Sequence, residues 1–458
     1  MKSFEVTNPA TSAVLDVAPD ASADDARSAL ERSVAAFASW KAKTAFERSD
    51  TLRKWRDLIL ADTEALARLM TQEMGKPITE SRGEVKYAAG FVEWYAEEAK
   101  RAYGDIIPTH AANKRLLVTR QPIGPVYAVT PWNFPAAMVT RKVAPALAAG
   151  CTVVLKPAEQ SPLTAIRLGE LWVKAGGPPD ALQILTAANP VAVSEVFFAD
   201  ARVRKLTFTG STEVGIKLYE QAARTMKRVS LELGGHAPFI ICDDADIPAA
   251  VQQVMASKFR NAGQTCVCAN RIYVHDRIRP AFTDHMADGV RKLRVGDPMS
   301  DETQVGPLVD AQGLEKVIAH VEDALRRGAS AVVGGKPRAG LFFEPTLLTG
   351  VQSGMRILEE ETFGPVAPIV GFTDEAEILR AANATPYGLA AYVWTTDLGR
   401  AFRMAEQLDY GIVGVNDGVP AVPHAPFGGV KFSGIGKEGG RWGMDEYLVD
   451  KYTSIALP

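Results

Sequence analysis

Cysteine is scarce in this chain, with Cys151, Cys242, Cys266 and Cys268 the only four among 458 residues. Four are too few for a secreted disulfide framework at this length, so thiol chemistry and a cytoplasmic location are expected. Histidine is scarcer than a metal protein would need: the six stand singly, a closed zinc site wants clustered ligands, and no metal is expected. No stretch approaches the roughly 20 apolar residues that span a bilayer, and Met1-Lys2-Ser3-Phe4-Glu5 does not lead into a signal-peptide core. An excess of one charge is missing as well. Fifty-one basic against 54 acidic residues give a net charge of only -3, which excludes a nucleic-acid footprint and a polybasic membrane anchor.

What is present is length enough for two or three domains. The first hundred residues read as helical, with Leu30, Val34 and Phe37, then Leu52, Trp55, Leu58 and Ile59, at helical spacing, and Gly75-Lys76-Pro77 as a stop. A further helix is predicted from about Glu80 to Tyr103, and strands over Arg115–Thr119 and Val126–Thr130. Short apolar runs at Cys151–Leu155, Leu182–Leu185, Lys205–Thr209 and Val229–Leu233 alternate with helix-length segments, the sign of a parallel sheet. The alternation resumes with Arg271–Val274, Val366–Val370, Ala390–Trp394 and Ile412–Val415, so two α/β units are expected, divided near Leu233-Gly234-Gly235.

Two residues carry chemistry. Cys266 follows the small, polar run Asn261-Ala262-Gly263-Gln264-Thr265, which leaves a thiol accessible, and Arg260 upstream favours its thiolate. Cys151 and Cys242, in or beside strands, read as small buried hydrophobes. Glu232 ends an apolar strand, where a carboxylate is costly unless it is used or paired; it is either a general base with a raised pKa or one half of an ion pair. A thiolate that attacks a carbonyl carbon and a base that activates water for thioester hydrolysis make a complete covalent mechanism. Cys268 is the candidate redox partner of Cys266, through a strained ring.

Seven motifs, spread in order over nearly the whole chain, resemble the aldehyde dehydrogenase superfamily: Thr130 to Pro135, Lys156-Pro157-Ala158-Glu159, Phe208 to Thr212, Leu231 to Gly235, Gly263 to Cys266, Glu360 to Pro365 and Pro426 to Gly434. The resemblance implies an α/β fold of two Rossmann-type domains plus a small β oligomerisation arm. It implies a NAD-binding domain over 1–104 and 122–231, a catalytic domain over 232–428, an arm from 105–121 and 440–458, and a homodimer or homotetramer. By the same resemblance Cys266 is the nucleophile, Glu232 the base, Asn133 the oxyanion donor beside the Cys266 backbone N–H, and Glu438 a second acid that relays protons. Read alone, Asn133 between Pro131 and Pro135 is a turn residue. Trp132, Lys156, Glu159, Gly210, Ser211, Glu361 and Phe363 are implied to hold the cofactor, with NAD favoured over NADP because the Glu159 carboxylate repels a 2′-phosphate. Gly434-Ile435-Gly436-Lys437-Glu438-Gly439 fits G-x-G-x-x-G, yet it follows no clear strand and is rejected as a dinucleotide loop.

Within that superfamily, Ser257 to Asn261 and Cys266-Val267-Cys268 look most like succinate semialdehyde dehydrogenases. Arg141 and Arg260 resemble the arginines that hold the far carboxylate of a small carboxylated aldehyde, a task suited to guanidinium forks. The loop Gly418 to Pro426 lacks the hydroxyl usual there, which keeps glutarate semialdehyde or another ω-carboxylated aldehyde as the alternative. Three rivals remain: an acylating dehydrogenase, against which Glu232 speaks, a non-catalytic NAD-binding protein, and a redox sensor built on Cys266 and Cys268.

Overall fold

The alternating runs fold into two mainly parallel sheets in a computed structural model, which describes residues 2–458. The first has six strands in the order Gly434–Ile435, Arg228–Glu232, Lys205–Thr209, Val126–Val129, Val153–Lys156 and Leu182–Ile184, parallel except at the first edge. Its central strands are buried on both faces, as parallel strands covered by helices must be. The second sheet has seven strands, with Ala269–His275 and Ala237–Ile241 at its centre, flanked by Val366–Phe372 on one side and Ala390–Trp394 on the other. The chain passes between the sheets at Leu233-Gly234-Gly235, so Glu232 is the last residue of one sheet.

Two expectations need correction. The first hundred residues are not all helical, since Lys2–Thr7 and Val14–Asp20 form an antiparallel hairpin ahead of the first helix, Ala23–Ala42. The second predicted helix is two, Ala45–Ala61 and Thr63–Met74, parted at Asp62, and Gly75 ends the latter in the left-handed conformation. A third sheet pairs Leu448–Ala456 with Lys114–Pro122 and that strand with Asp105–Ile107, all antiparallel. Among the described residues no helix is long and apolar enough to cross a membrane.

The largest apolar core packs the helices of the first hundred residues against Ala137–Ala149 and the first sheet, with Trp40, Trp55 and Trp172 in edge-to-face contact. That core fixes the helix Ile78–Glu98, which presents Glu84 and Tyr87 toward the site.

Candidate active site

Strand ends and the turns after them build the site. A cavity of about 340 Å³ is lined by Trp132 and Asn133 after Val126–Val129, by Thr209, Gly210 and Ser211 after Lys205–Thr209, by Leu233 and Gly234, and by Cys266, Glu361 and Phe363. Seven of the sequence-predicted residues therefore meet at one wall: Trp132, Asn133, Gly210, Ser211, Cys266, Glu361 and Phe363. Ligands of open α/β sheets bind at this carboxyl edge.

The Cys266 loop is strained. Asn261, Ala262 and Gly263 all adopt positive φ, of 50°, 53° and 75°. For Asn261 and Ala262 this costs about 1–3 kcal/mol each. A Cβ on Gly263 would stand 2.1 Å from the Gly364 carbonyl oxygen. Hydrogen bonds hold the strained run: Asn261 N–H donates to Glu80 (2.8 Å), Asn261 Nδ2 to the Asn133 carbonyl (3.0 Å), and Gln264 Nε2 to the Asn261 carbonyl (3.0 Å).

Asn133 is 5% exposed, and its Nδ2 donates one hydrogen to the Gln264 carbonyl at 3.0 Å. An amide nitrogen carries two hydrogens, so one remains for a ligand. Its backbone carbonyl accepts from Lys76 Nζ at 2.9 Å. Lys76 in turn is ion-paired with Glu84, and both are buried. Glu84 accepts from the N–H groups of Ala136 and Ala137 at 3.0 and 3.2 Å, so this pair clamps both sides of the Asn133 turn. Sequence reading missed it; a lysine between glycine and proline at a helix end looked like a stop signal alone.

Charge is concentrated beneath the cavity. Glu232 is 2% exposed and neither carboxylate oxygen has a partner. Burial, then the Glu438 charge, pushes its pKa well above the carboxylate range. A Cβ on Gly428 would lie 2.7 Å from Glu232 Oε1, so glycine is required there. Burial opposes the Glu438 charge, but Arg141 and Lys142 outweigh it and hold that carboxyl low. Glu438 therefore acts electrostatically on Glu232, whose pKa its charge raises.

The two arginines differ. Arg141, 1% exposed, is ion-paired with Glu438 and stacks 4.3 Å above the Phe427 ring. Arg260 has no carboxylate partner among the described residues; it lies over Phe134 at 5.3 Å, and its Nε is buried without a hydrogen bond. Neither lines the 340 Å³ cavity, and Arg260 borders a second cavity of about 400 Å³ with Glu80 and Phe259. Both charges nevertheless act on the Cys266 thiol, which burial pushes up to about 12 against their pull. Tyr87, unnoticed in the sequence, lies among Arg141, Arg260 and Cys266.

The cavity wall suits the phosphate and nicotinamide end of a dinucleotide. The helix Thr212–Ala223 opens into it with Ser211 as N-cap accepting from Val214 N–H, which leaves the Thr212 and Glu213 N–H groups for phosphate, and Thr209 Oγ1 is buried on the wall without a partner. Trp132 meets Phe363 edge-on at 5.6 Å, and Glu361, raised to about 7 by burial, accepts from Gly235 N–H at 3.2 Å. Lys156 and Glu159 pair with each other at 2.8 Å and stand outside the lining residues.

The aldehyde dehydrogenase family model matches residues 1–453. The chain belongs to that family. It is 51% identical to succinate-semialdehyde dehydrogenase [NADP(+)] of Escherichia coli K12, over 100% of this chain and 95% of the relative. It is 50% identical to a glutarate-semialdehyde dehydrogenase of Pseudomonas putida KT2440, with the same coverage of each chain. The crystal structure of succinate-semialdehyde dehydrogenase from Burkholderia pseudomallei superposes with a TM-score of 0.98 at 50% identity, covering 100% of this chain and 95% of that one. The aldehyde dehydrogenase fold and enzyme class expected from the sequence are both borne out, with NAD or NADP as the family's cofactor.

Proposed function

We propose that this enzyme oxidises a short aldehyde carrying a terminal carboxylate, succinate semialdehyde first and glutarate semialdehyde second. The observation that carries this is the guanidinium pair, Arg141 and Arg260, within Coulomb reach of a thiol on the cavity wall, one of the pair without a carboxylate partner. The names of the relatives, one acting on each semialdehyde, support it. Arg260, over Phe134 and near Tyr87, takes the carboxylate, and Arg141 adds its charge while it stays bound to Glu438.

In this reading the Cys266 thiol gives its proton to solvent and the sulfur attacks the aldehyde carbon. The oxyanion is met by the second Asn133 amide hydrogen and the Cys266 backbone N–H, donors set before charge develops. Loss of hydride from that carbon leaves a thioester, the nicotinamide being the hydride acceptor when bound. Glu232 then removes a proton from water, which releases the acid and restores the thiol. Free acid formed without coenzyme A separates this from the acylating rival.

Trp132, Gly210, Ser211, Glu361 and Phe363 hold the pyrophosphate and nicotinamide end, and Lys156 with Glu159 the adenine ribose. Glu159 disfavours a 2′-phosphate and so favours NAD; its pairing with Lys156 blunts that repulsion, and the NADP in the name of the E. coli relative makes NADP a full competitor. The two large sheets support a NAD-binding domain over 1–104 and 122–231 and a catalytic domain over 232–428, with Glu232 and Gly434–Ile435 crossing to the first sheet. The arm forms a homodimer or homotetramer: Leu448–Ala456 is an edge strand exposed after its first residue, with Tyr452 58% and Ile106 82% exposed. Steady-state rates with succinate and glutarate semialdehyde, against butanal and pentanal, each with NAD and NADP, test the whole reading. Preference for the uncharged aldehydes overturns it.

A further inference from the structure

A buried lysine and cysteine pair lies beside the Cys266 loop and has no part in the oxidation of an aldehyde. Lys258 is the last residue of the helix Ile247–Lys258 and is fully buried. Among the described residues no carboxylate pairs with it; its Nζ contacts Cys268 Sγ at 3.2 Å and Asn270 Oδ1 at 3.0 Å. Asn270 Nδ2, in the same buried pocket of polar groups, has no partner. Cys268 is fully buried as well and does not line the Cys266 cavity. An amine buried without a counter-anion is costly unless it serves a purpose. The N-to-S separation falls in the range of near-attack contacts, about 3–3.5 Å.

We propose that Lys258 and Cys268 are an oxidative modification site that closes to a sulfur–nitrogen crosslink. Hydrogen peroxide, small and uncharged enough to reach a buried thiol, oxidises Cys268 to its sulfenic acid, and water leaves. Lys258 Nζ then attacks that sulfur: the S–N bond forms, the S–O bond breaks, and the departing hydroxide takes a proton from the amine as a second water. The sulfur is oxidised, the peroxide is reduced, and the protein loses two hydrogens in all. Condensation of sulfenic acids with backbone nitrogen is the precedent in chemistry.

The geometry favours this over a disulfide with Cys266. Lys258 already touches the Cys268 sulfur, whereas a ring through adjacent-but-one cysteines departs from relaxed disulfide geometry. The bond would join the end of a helix to the residue before the strand Ala269–His275, enclosing the Cys266 loop. Cys266 itself would stay a thiol.

The test uses the full chain. The protein is treated with hydrogen peroxide, free thiols are alkylated, and tryptic peptides are sequenced by mass spectrometry. The expected product joins the peptide ending at Arg260, uncut at Lys258, to the peptide 261–271, at two hydrogens below their sum and with Cys266 alkylated. Dithiothreitol should release it. In Lys258→Arg the crosslink should vanish while dimedone traps sulfenic acid at Cys268. A Cys266–Cys268 disulfide within peptide 261–271 in place of the crosslink overturns the proposal, and so does wild-type Cys268 that stays reduced or carries only oxygen adducts. None of these readouts depends on the aldehyde the enzyme prefers.

Discussion

Lys76 is far from any expected catalytic motif, yet its replacement by methionine should damage catalysis through Asn133. Lys76 Nζ donates to the Asn133 carbonyl at 2.9 Å, and Glu84, its ion-pair partner, accepts from the Ala136 and Ala137 N–H groups that follow that turn. Lys76→Met strands the Glu84 carboxylate in the core, and breaking a buried pair from one side costs roughly 3–5 kcal/mol. The double variant Lys76→Met/Glu84→Gln removes both charges, keeps an oxygen for the Ala136 and Ala137 N–H groups and should regain most of that stability in urea unfolding. It should not regain the rate, because the Asn133 side of the turn still lacks its clamp. An oxyanion donor displaced by an ångström costs on the order of 10²-fold, so both variants should lose kcat by about 10- to 100-fold. KM for succinate semialdehyde should hardly move, since Asn133 acts on charge that develops in the transition state. NADH production under saturating cofactor measures both constants. A double variant as stable as the wild type with unchanged kcat would refute the reasoning.

Glu232→Gln should keep a single-turnover burst of NADH and lose steady turnover by about 10²- to 10⁴-fold, because only deacylation needs the base; loss of the burst contradicts this. Burial and Glu438 keep Glu232 protonated above the usual carboxylate range, so wild-type kcat should still be rising with pH above that range, and a profile already flat there would count against the assignment. Glu361, raised to about 7 by burial, should bind dinucleotide less tightly as pH falls through that value, a trend that fluorescence titration should show lost in Glu361→Gln. Glu73 is 1% exposed and burial raises it to about 8, so the folded chain binds more protons than the unfolded one between the two pKa values and stability falls as pH rises across that window. Glu73→Gln keeps an oxygen for only one of the Leu163 and Thr164 N–H groups and turns an NH2 on the other, so it should be less stable than the wild type at acid pH, and the deficit should shrink as pH rises to 9, which urea unfolding at both pH values measures.

The strands Lys205–Thr209, Ala390–Trp394 and Ile412–Val415 were legible to the residue, because each is an apolar run bounded by turn formers. Ala237–Ile241 is a central strand that the sequence analysis does not name; its Pro238, rare in such a position, takes part in the parallel pairing at a register shift. The hairpin Lys2–Thr7 with Val14–Asp20 is mostly exposed and leaves little apolar pattern to read. At the site, residues within motifs were readable because glycine and proline mark the turns around Trp132, Gly210 and Cys266. Glu84, Tyr87 and Lys258 were not, since each sits in an ordinary helix and gains its role from a neighbour 10 or more residues away or from another element. Nor does sequence tell a paired arginine from an unpaired one; Arg141 and Arg260 looked equivalent until Glu438 was found on the first. Arg260 does pull on the Cys266 thiol as its place in the sequence suggests, but the desolvation that opposes it depends on the fold.

The central claim is that Cys266 acts on an aldehyde whose far carboxylate meets Arg260. It is tested most directly by kcat/KM for succinate semialdehyde and for butanal, in the wild type and in Arg260→Ala. The account predicts a strong wild-type preference for the semialdehyde and a loss of about 2–5 kcal/mol of it in the variant, with butanal turnover largely kept. Equal loss on both aldehydes, or an undiminished preference for the semialdehyde, would contradict it.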